Sequence, residues 1–188
     1  MSIAHKHPRF RFARFAAGMV LGVGGIAAVI FVGSLYIRFA PGYAILIGIA
    51  ASALAHIGNF VGIYCGRLSS AMIATLLSAS IYASYHVMHY HYFRHQAIEV
   101  LTLEQGVGHA EASAQLDRVL SAQTGSAGMV GYLQYVSRQG SVLSTRSGSV
   151  QIQLDQSQTY VVWQVELLIV LVLPGVIFAF GKKQRRLK

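Results

Sequence analysis

Long apolar runs organise this chain. Four of them fall at 15–37, 43–64, 70–93 and 160–181. Each is near the about 20 residues that a helix needs to cross about 30 Å of hydrocarbon. Residues 94–159 return to mixed composition, and within them 109–123 and 128–138 favour short helices, punctuated by Thr124-Gly125-Ser126 and Gln139-Gly140. From Ser141 to Leu154 the period changes. Val142, Thr145 and Arg146, then Val150-Gln151-Ile152-Gln153-Leu154, predict a β-hairpin around Ser147-Gly148-Ser149. Pro41-Gly42 and Gly66-Arg67-Leu68-Ser69 supply short turns between the first three runs, with Ser69 or Ser70 as an N-cap. The expected fold is an all-α membrane protein. It has four transmembrane helices and a 66-residue, mainly helical outer segment between the third and fourth.

Composition agrees: 54% of the residues are hydrophobic and 11% charged, far too apolar for an ordinary soluble domain. With 188 residues there is room for one small bundle. The first run follows Lys6, Arg9, Arg11 and Arg14, as a signal peptide would. It exceeds the about 7–15 residues of a signal h-region, however, and leads into Tyr36-Ile37-Arg38-Phe39-Ala40-Pro41 with no small-x-small cleavage site. It is expected to remain as a helix.

The net charge of +9 would point to nucleic acid in a soluble protein. Its distribution says otherwise. Basic residues precede the first run, and Lys182, Lys183, Arg185, Arg186 and Lys188 follow the last. Glu99, Glu104, Glu111, Asp117 and Asp155 all sit in 94–159. This is the positive-inside asymmetry. The expectation is a cytosolic N-terminus (1–14), an extracytoplasmic segment (94–159), a cytosolic tail (182–188) and no nucleic-acid partner. The basic ends would rest on anionic lipid, at about 1 kcal/mol per residue. Cys65 is the single cysteine and makes neither an intramolecular disulfide nor a Cys-based zinc site.

Glu166 is the sole acid inside a run, and a carboxylate in hydrocarbon is expensive unless it is paired or protonated. Six residues past Tyr160, it lies about 9 Å below the outer boundary. The matching depth on the third run is Val87, between His86 and His89, which share a face. The expectation is a Glu166–His86 or Glu166–His89 pair, with Tyr82 or Tyr85 assisting. Such a pair serves as a polar tie, or as an ion or proton site.

His91 and His95 form an i,i+4 pair that lacks the further ligands a metal site needs, so they read as part of an aromatic belt. No metal and no cofactor are expected. His56 and Asn59 lie deeper, with His56 placed to bond Ser78, Ser80 or a backbone carbonyl. The second and third runs would therefore form the interior, leaving the first and fourth to face lipid. Gly18, Gly22 and Gly25, then Gly48, Ser52 and Ala55, then Gly58, Gly62 and Gly66 recur at packing distances. They serve bundle packing, or a homo-oligomer or membrane-partner seam through Gly58, Gly62 and Gly66. Pro174-Gly175 is expected to kink the last helix. No phosphate loop or nucleophile elbow is present.

Two stretches carry a resemblance. One is Gly128-Met129-Val130-Gly131-Tyr132-Leu133, with Gly140 seven residues on, and the other is Trp163-Gln164-Val165-Glu166-Leu167. Together they resemble a group of uncharacterised bacterial multi-pass membrane proteins, in which an outer Gly-x-x-Gly-Tyr-Leu helix precedes a last span opening Trp-x-x-Glu-Leu. The resemblance covers the last third of the chain. It implies the architecture and a bacterial inner (plasma) membrane, and no activity. Similar proteins continue into a cysteine-bearing cytosolic tail that this sequence does not show, so no metal ribbon is expected. The function expected is that of a non-enzymatic interaction, accessory or sensor protein. The alternative is a small oligomeric ion, proton or metal transporter or channel using Glu166 and the histidines of the third run.

Overall fold

Six helices and two short strands follow one another: α1 (Pro8–Tyr36), α2 (Ala40–Phe60), α3 (Arg67–Gln105), α4 (His109–Thr124), α5 (Gly128–Gln139), β1 (Val142–Ser144), β2 (Gln151–Gln153) and α6 (Gln156–Phe180). The computed structural model describes residues 8–36, 40–60, 66–139, 142–144 and 151–180. Among these, α1 over Phe15–Leu35, α3 and α6 are long and apolar enough to cross a membrane. The apolar stretch of α2, Gly42–Gly58, is shorter. Such helices are those of a membrane-embedded protein.

Several boundaries differ from those expected. The largest difference is at α3, which passes Phe93 and ends only at Gln105. Loss of hydropathy at Arg94 marks the end of an apolar run, but it does not end a helix. His95 to Gln105 contains no breaker, and Gly106, at φ +66°, is the first. Pro41 and Gly42 lie inside the first turn of α2, where a proline loses nothing because that N–H has no intrahelical partner. Ser70 is likewise inside α3 rather than capping it, since its N–H and its hydroxyl both donate to Gly66 O.

The start of α6 moves four residues upstream of Tyr160, to a reciprocal cap. Gln158 N–H donates to Asp155 Oδ1, and Asp155 N–H donates back to Gln158 Oε1. Helices α4 and α5 fall where 109–123 and 128–138 predicted them. Strands β1 and β2 pair antiparallel with Leu143 opposite Ile152. The turn expected at Ser147-Gly148-Ser149 lies outside the described residues, as do Gly62 and Cys65.

The chain divides into two compact units. The first holds α1 to Ile30, α2 from Pro41, α3 to Ser84 and α6 from Glu166. Its buried face is built of small residues. Ala44, Ile47, Ala51 and Ala55 recur at three- and four-residue steps along α2, joined by Ala27 of α1, Ala74 of α3 and Val170 of α6. Ile47 and Ile81 are the large residues fully buried among them, while many other large apolar side chains point outward: Leu21 is 76% exposed and Ala51 fully buried. A soluble core has the opposite order; lipid solvates the large residues here and packing selects the small ones. Gly48 sits so close to α6 that a Cβ would come within 2.8 Å of Leu173 Cδ2.

Burial is shared more widely than the expected interior of α2 and α3, with α1 and α6 facing more lipid. Each of the four helices buries one stripe, and α6 buries Glu166, Val170 and Pro174 while Leu168 faces outward. His56 is exposed rather than bonded to Ser78 or Ser80. It follows Ala55 by about 100° around the helix, off the small-residue stripe. Asn59's side chain lies outside the described residues.

The second unit holds Phe31–Ala40 and Tyr85–Val165. Here packing is of the soluble kind. Ile98, Ala112, Leu116 and Leu120 form its core, flanked by Phe93, Ala97, Leu101, Val107 and Tyr135. Gly131 fits α5 against the turn after α4, where a Cβ would run into the Ser126 carbonyl oxygen, and Gly128 takes φ +63° to begin the helix. This is the physical requirement behind the Gly-x-x-Gly spacing.

Candidate functional site

Two places in the fold combine unusual chemistry with a defined geometry. One is the seam between α3 and α6 in the first unit. Thr75 donates to Leu171 O at 3.4 Å and Tyr82 donates to Glu166 Oε2 at 3.1 Å, so the two helices run antiparallel in fixed register. Pro174, inside α6 three residues after Leu171, lacks the N–H that would donate to Val170 O. Between the two bonds, the Ser78 hydroxyl is fully buried and has no hydrogen-bond partner among the described residues. Glu166 itself is 6% exposed.

The expected tie from Glu166 to His86 or His89 is therefore replaced by Tyr82, the residue expected only to assist. His89 Nε2 instead meets Ser34 Oγ at 2.8 Å, with the Phe31 ring edge-on at 4.9 Å. His86 lies edge-on to Tyr85 and to Trp163. The depth argument failed because both of its boundaries moved: α6 begins before Tyr160 and α3 does not stop at Phe93. A polar stripe, Thr75, Ser78, Tyr82, His86 and His89, does recur at three- and four-residue steps along α3.

His91 and His95 are exposed, and no three His, Cys, Asp or Glu residues gather among the described residues. Gly58 is buried, and Gly66 is exposed at φ +113°, one residue before α3.

The other place is the groove of the second unit, a cavity of about 430 Å³. Phe93, Val100, Leu101, Leu116, Val119 and Tyr135 line it, with Gln96 and Gln123 as its polar members and no charged side chain. Val100 is 49% exposed and Val119 43%. Arg94 fixes α4 beside α3. Its Nη1 and Nη2 donate to the two oxygens of Asp117 at 3.1 and 3.2 Å, and further bonds reach Tyr90 and Ser113. The Tyr132 ring packs 4.9 Å from Phe93, and burial pushes its hydroxyl pKa up.

No family model matches the chain, and no curated protein or solved structure matches it. The two sites are thus interpreted from their own chemistry.

Proposed function

We propose that this is a non-enzymatic interaction or accessory protein of the bacterial inner membrane, with four spans and both termini cytoplasmic. In this reading the groove between α3 and α4 is the docking surface. The groove is the observation that carries it: a ligand-sized apolar cleft without charge, built on helices held by an arginine fork. The length of α3 supports it. At about 1.5 Å per residue its 39 residues run about 58 Å, near twice the hydrocarbon thickness of about 30 Å. The half that carries Arg94 to Gln105 then stands in the extracytoplasmic segment. An uncharged cleft between two helices suits the apolar face of a partner helix. The Gly58, Gly62 and Gly66 stripe offers a second contact, with another copy or a membrane partner.

A photo-reactive phenylalanine analogue in place of Val119, in the full-length protein in native membranes, is expected to give one discrete protein adduct. Val100→Glu, at a half-exposed lining position, should abolish that adduct without changing the melting temperature. Lipid adducts alone at Val119 would defeat the reading. Topology is tested separately in a Cys65→Ser background. A cysteine at Ser126 should react with an impermeant reagent from outside and one at Ser2 should not; the reverse pattern overturns the orientation.

The buried carboxyl of Glu166 favours a second reading, a small oligomeric ion, proton or metal transporter using Glu166 and the α3 histidines. That reading demands a flux in proteoliposomes that Glu166→Gln abolishes.

A further inference from the structure

We propose that Glu166 is a proton-binding site in the α3–α6 seam, occupied at neutral pH so that its carboxyl stands there as an uncharged acid. The inference is independent of the docking reading, since Glu166 takes no part in the groove.

The geometry leaves the charged form without support. Glu166 is 6% exposed, and its recorded partner is one neutral hydroxyl, that of Tyr82. Among the described residues the single ion pair is Arg94–Asp117. Nor, among the described residues, does any packed element offer an arginine or lysine at this level. Along α3, Arg67 and Arg94 are the nearest arginines to Tyr82, about 22 and about 18 Å away along the axis. His86 and His89 follow Tyr82 one and two turns on, engaged with Trp163 and Tyr85 and with Ser34. Helix α2, which abuts α6 at Gly48, has no Asp, Glu, Lys or Arg over Ala40–Phe60; its ionisable groups are Tyr43 and the exposed His56. Helix α1 has no charged residue over 15–36. A buried carboxylate without a cation beside it is far costlier than the neutral acid, so the proton stays.

A second observation marks the same face of α3 as more than packing. Ser78, one turn from Tyr82, is fully buried with its hydroxyl unpartnered among the described residues. Burying such a group costs free energy with no return in packing. Thr75, Ser78, Tyr82 and Glu166 thus line up as a short polar track through an apolar bundle, with the acid as its one proton carrier.

Infrared spectroscopy of the full-length protein in liposomes tests this directly. Of the five other side-chain carboxyls, all in 94–159, Glu99, Glu104, Glu111 and Asp155 are exposed and Asp117 is paired with Arg94. A protonated-carboxyl C=O band is therefore expected at pH 7 from Glu166 alone. It should shift down in D₂O and be missing in Glu166→Gln. Tyr82→Phe should keep the band but raise its frequency, because Oε2 loses its donor; this variant and the wild-type spectrum keep the test decisive if Glu166→Gln folds poorly. No C=O band in the wild type at pH 7, or one that survives in folded Glu166→Gln, overturns the proposal. Dicyclohexylcarbodiimide adds an independent reading on the wild type. The carboxyl proton passes to a carbodiimide nitrogen, the oxygen adds to its central carbon, and nothing leaves. One adduct mapped to Glu166, formed more slowly as pH rises, is expected; labelling that ignores pH or falls elsewhere counts against it.

Discussion

Helix α3 carries two carboxyl-binding residues twelve positions apart, and they do opposite things. Tyr82 holds Glu166 by one hydroxyl in a bundle of small apolar residues. Arg94 grips Asp117 with a two-pronged fork in a part-exposed setting, the side chains being 26% and 34% accessible. Where water reaches, a full charge pair is cheap to form and fixes geometry. Where the group is buried in an apolar bundle with no cation beside it, a neutral pair is the cheaper solution. The same contrast runs through the packing. The first unit brings helices together over Gly48 and Ala51, while the second fills a core with Ile98, Leu116 and Leu120.

The two units should respond differently to one added methyl group. Gly131→Ala drives a Cβ into the Ser126 carbonyl, a backbone atom that cannot turn away. It should destabilise the second unit by about 3 kcal/mol, the upper end for overpacking. Gly48→Ala meets the far end of Leu173, which can rotate, and should cost under about 1 kcal/mol. Melting of each variant in detergent checks both. Equal losses would mean that the two units pack alike.

Arg94→Ala comes next. It removes the fork and the bonds to Tyr90 and Ser113, and should cost about 1–2 kcal/mol, with faster amide exchange in α4 and none in α2. Exchange rising equally in both would erase the distinction between the units.

Glu166→Leu removes the carboxyl that the Tyr82 hydroxyl donates to and should lower stability by about 1 kcal/mol, whereas Glu166→Gln keeps an acceptor and should stay close to wild type. If both match the wild type in detergent melts, Tyr82 contributes nothing to the seam.

The smallest effect belongs to Asp155. Its carboxyl sits below the ordinary aspartate range because the Ser157 hydroxyl and then the Gln158 amide donate to it. A depressed folded pKa contributes stability above the unfolded value of about 3.9 and loses it as pH falls through the folded value. The first turn of α6 should fray only in that acid window, visible as faster amide exchange at Gln158 and Thr159. Asp155→Ala should fray it at every pH.

Much of the fold was legible in the residues. Three of the four apolar runs announced helices long enough to cross a membrane, the second giving a shorter apolar helix, and the 3.6-residue pattern between Gly and Ser punctuation placed α4 and α5. Two further signals were present and went unread. Asp155-x-x-Gln158 is a capping box that dates the start of α6, and the breaker-free stretch from His95 to Gln105 carries α3 onward. The site was half legible. Glu166 stood out because a lone acid in hydrocarbon must, but its partner did not, since the depth estimate turned on helix ends that hydropathy alone locates poorly.

The chain's residues by themselves determined which segments are helical and apolar, which glycines break them, and where charge is allowed, because these depend on local propensity and transfer free energy. Only the tertiary structure decided that Tyr82 rather than His86 meets Glu166, that His56 faces outward, and that Gly131 has no room for a methyl group. Each of these depends on the register in which one helix slides along another. Register is set by the sum of many small contacts, of which no single stretch of sequence holds more than one side.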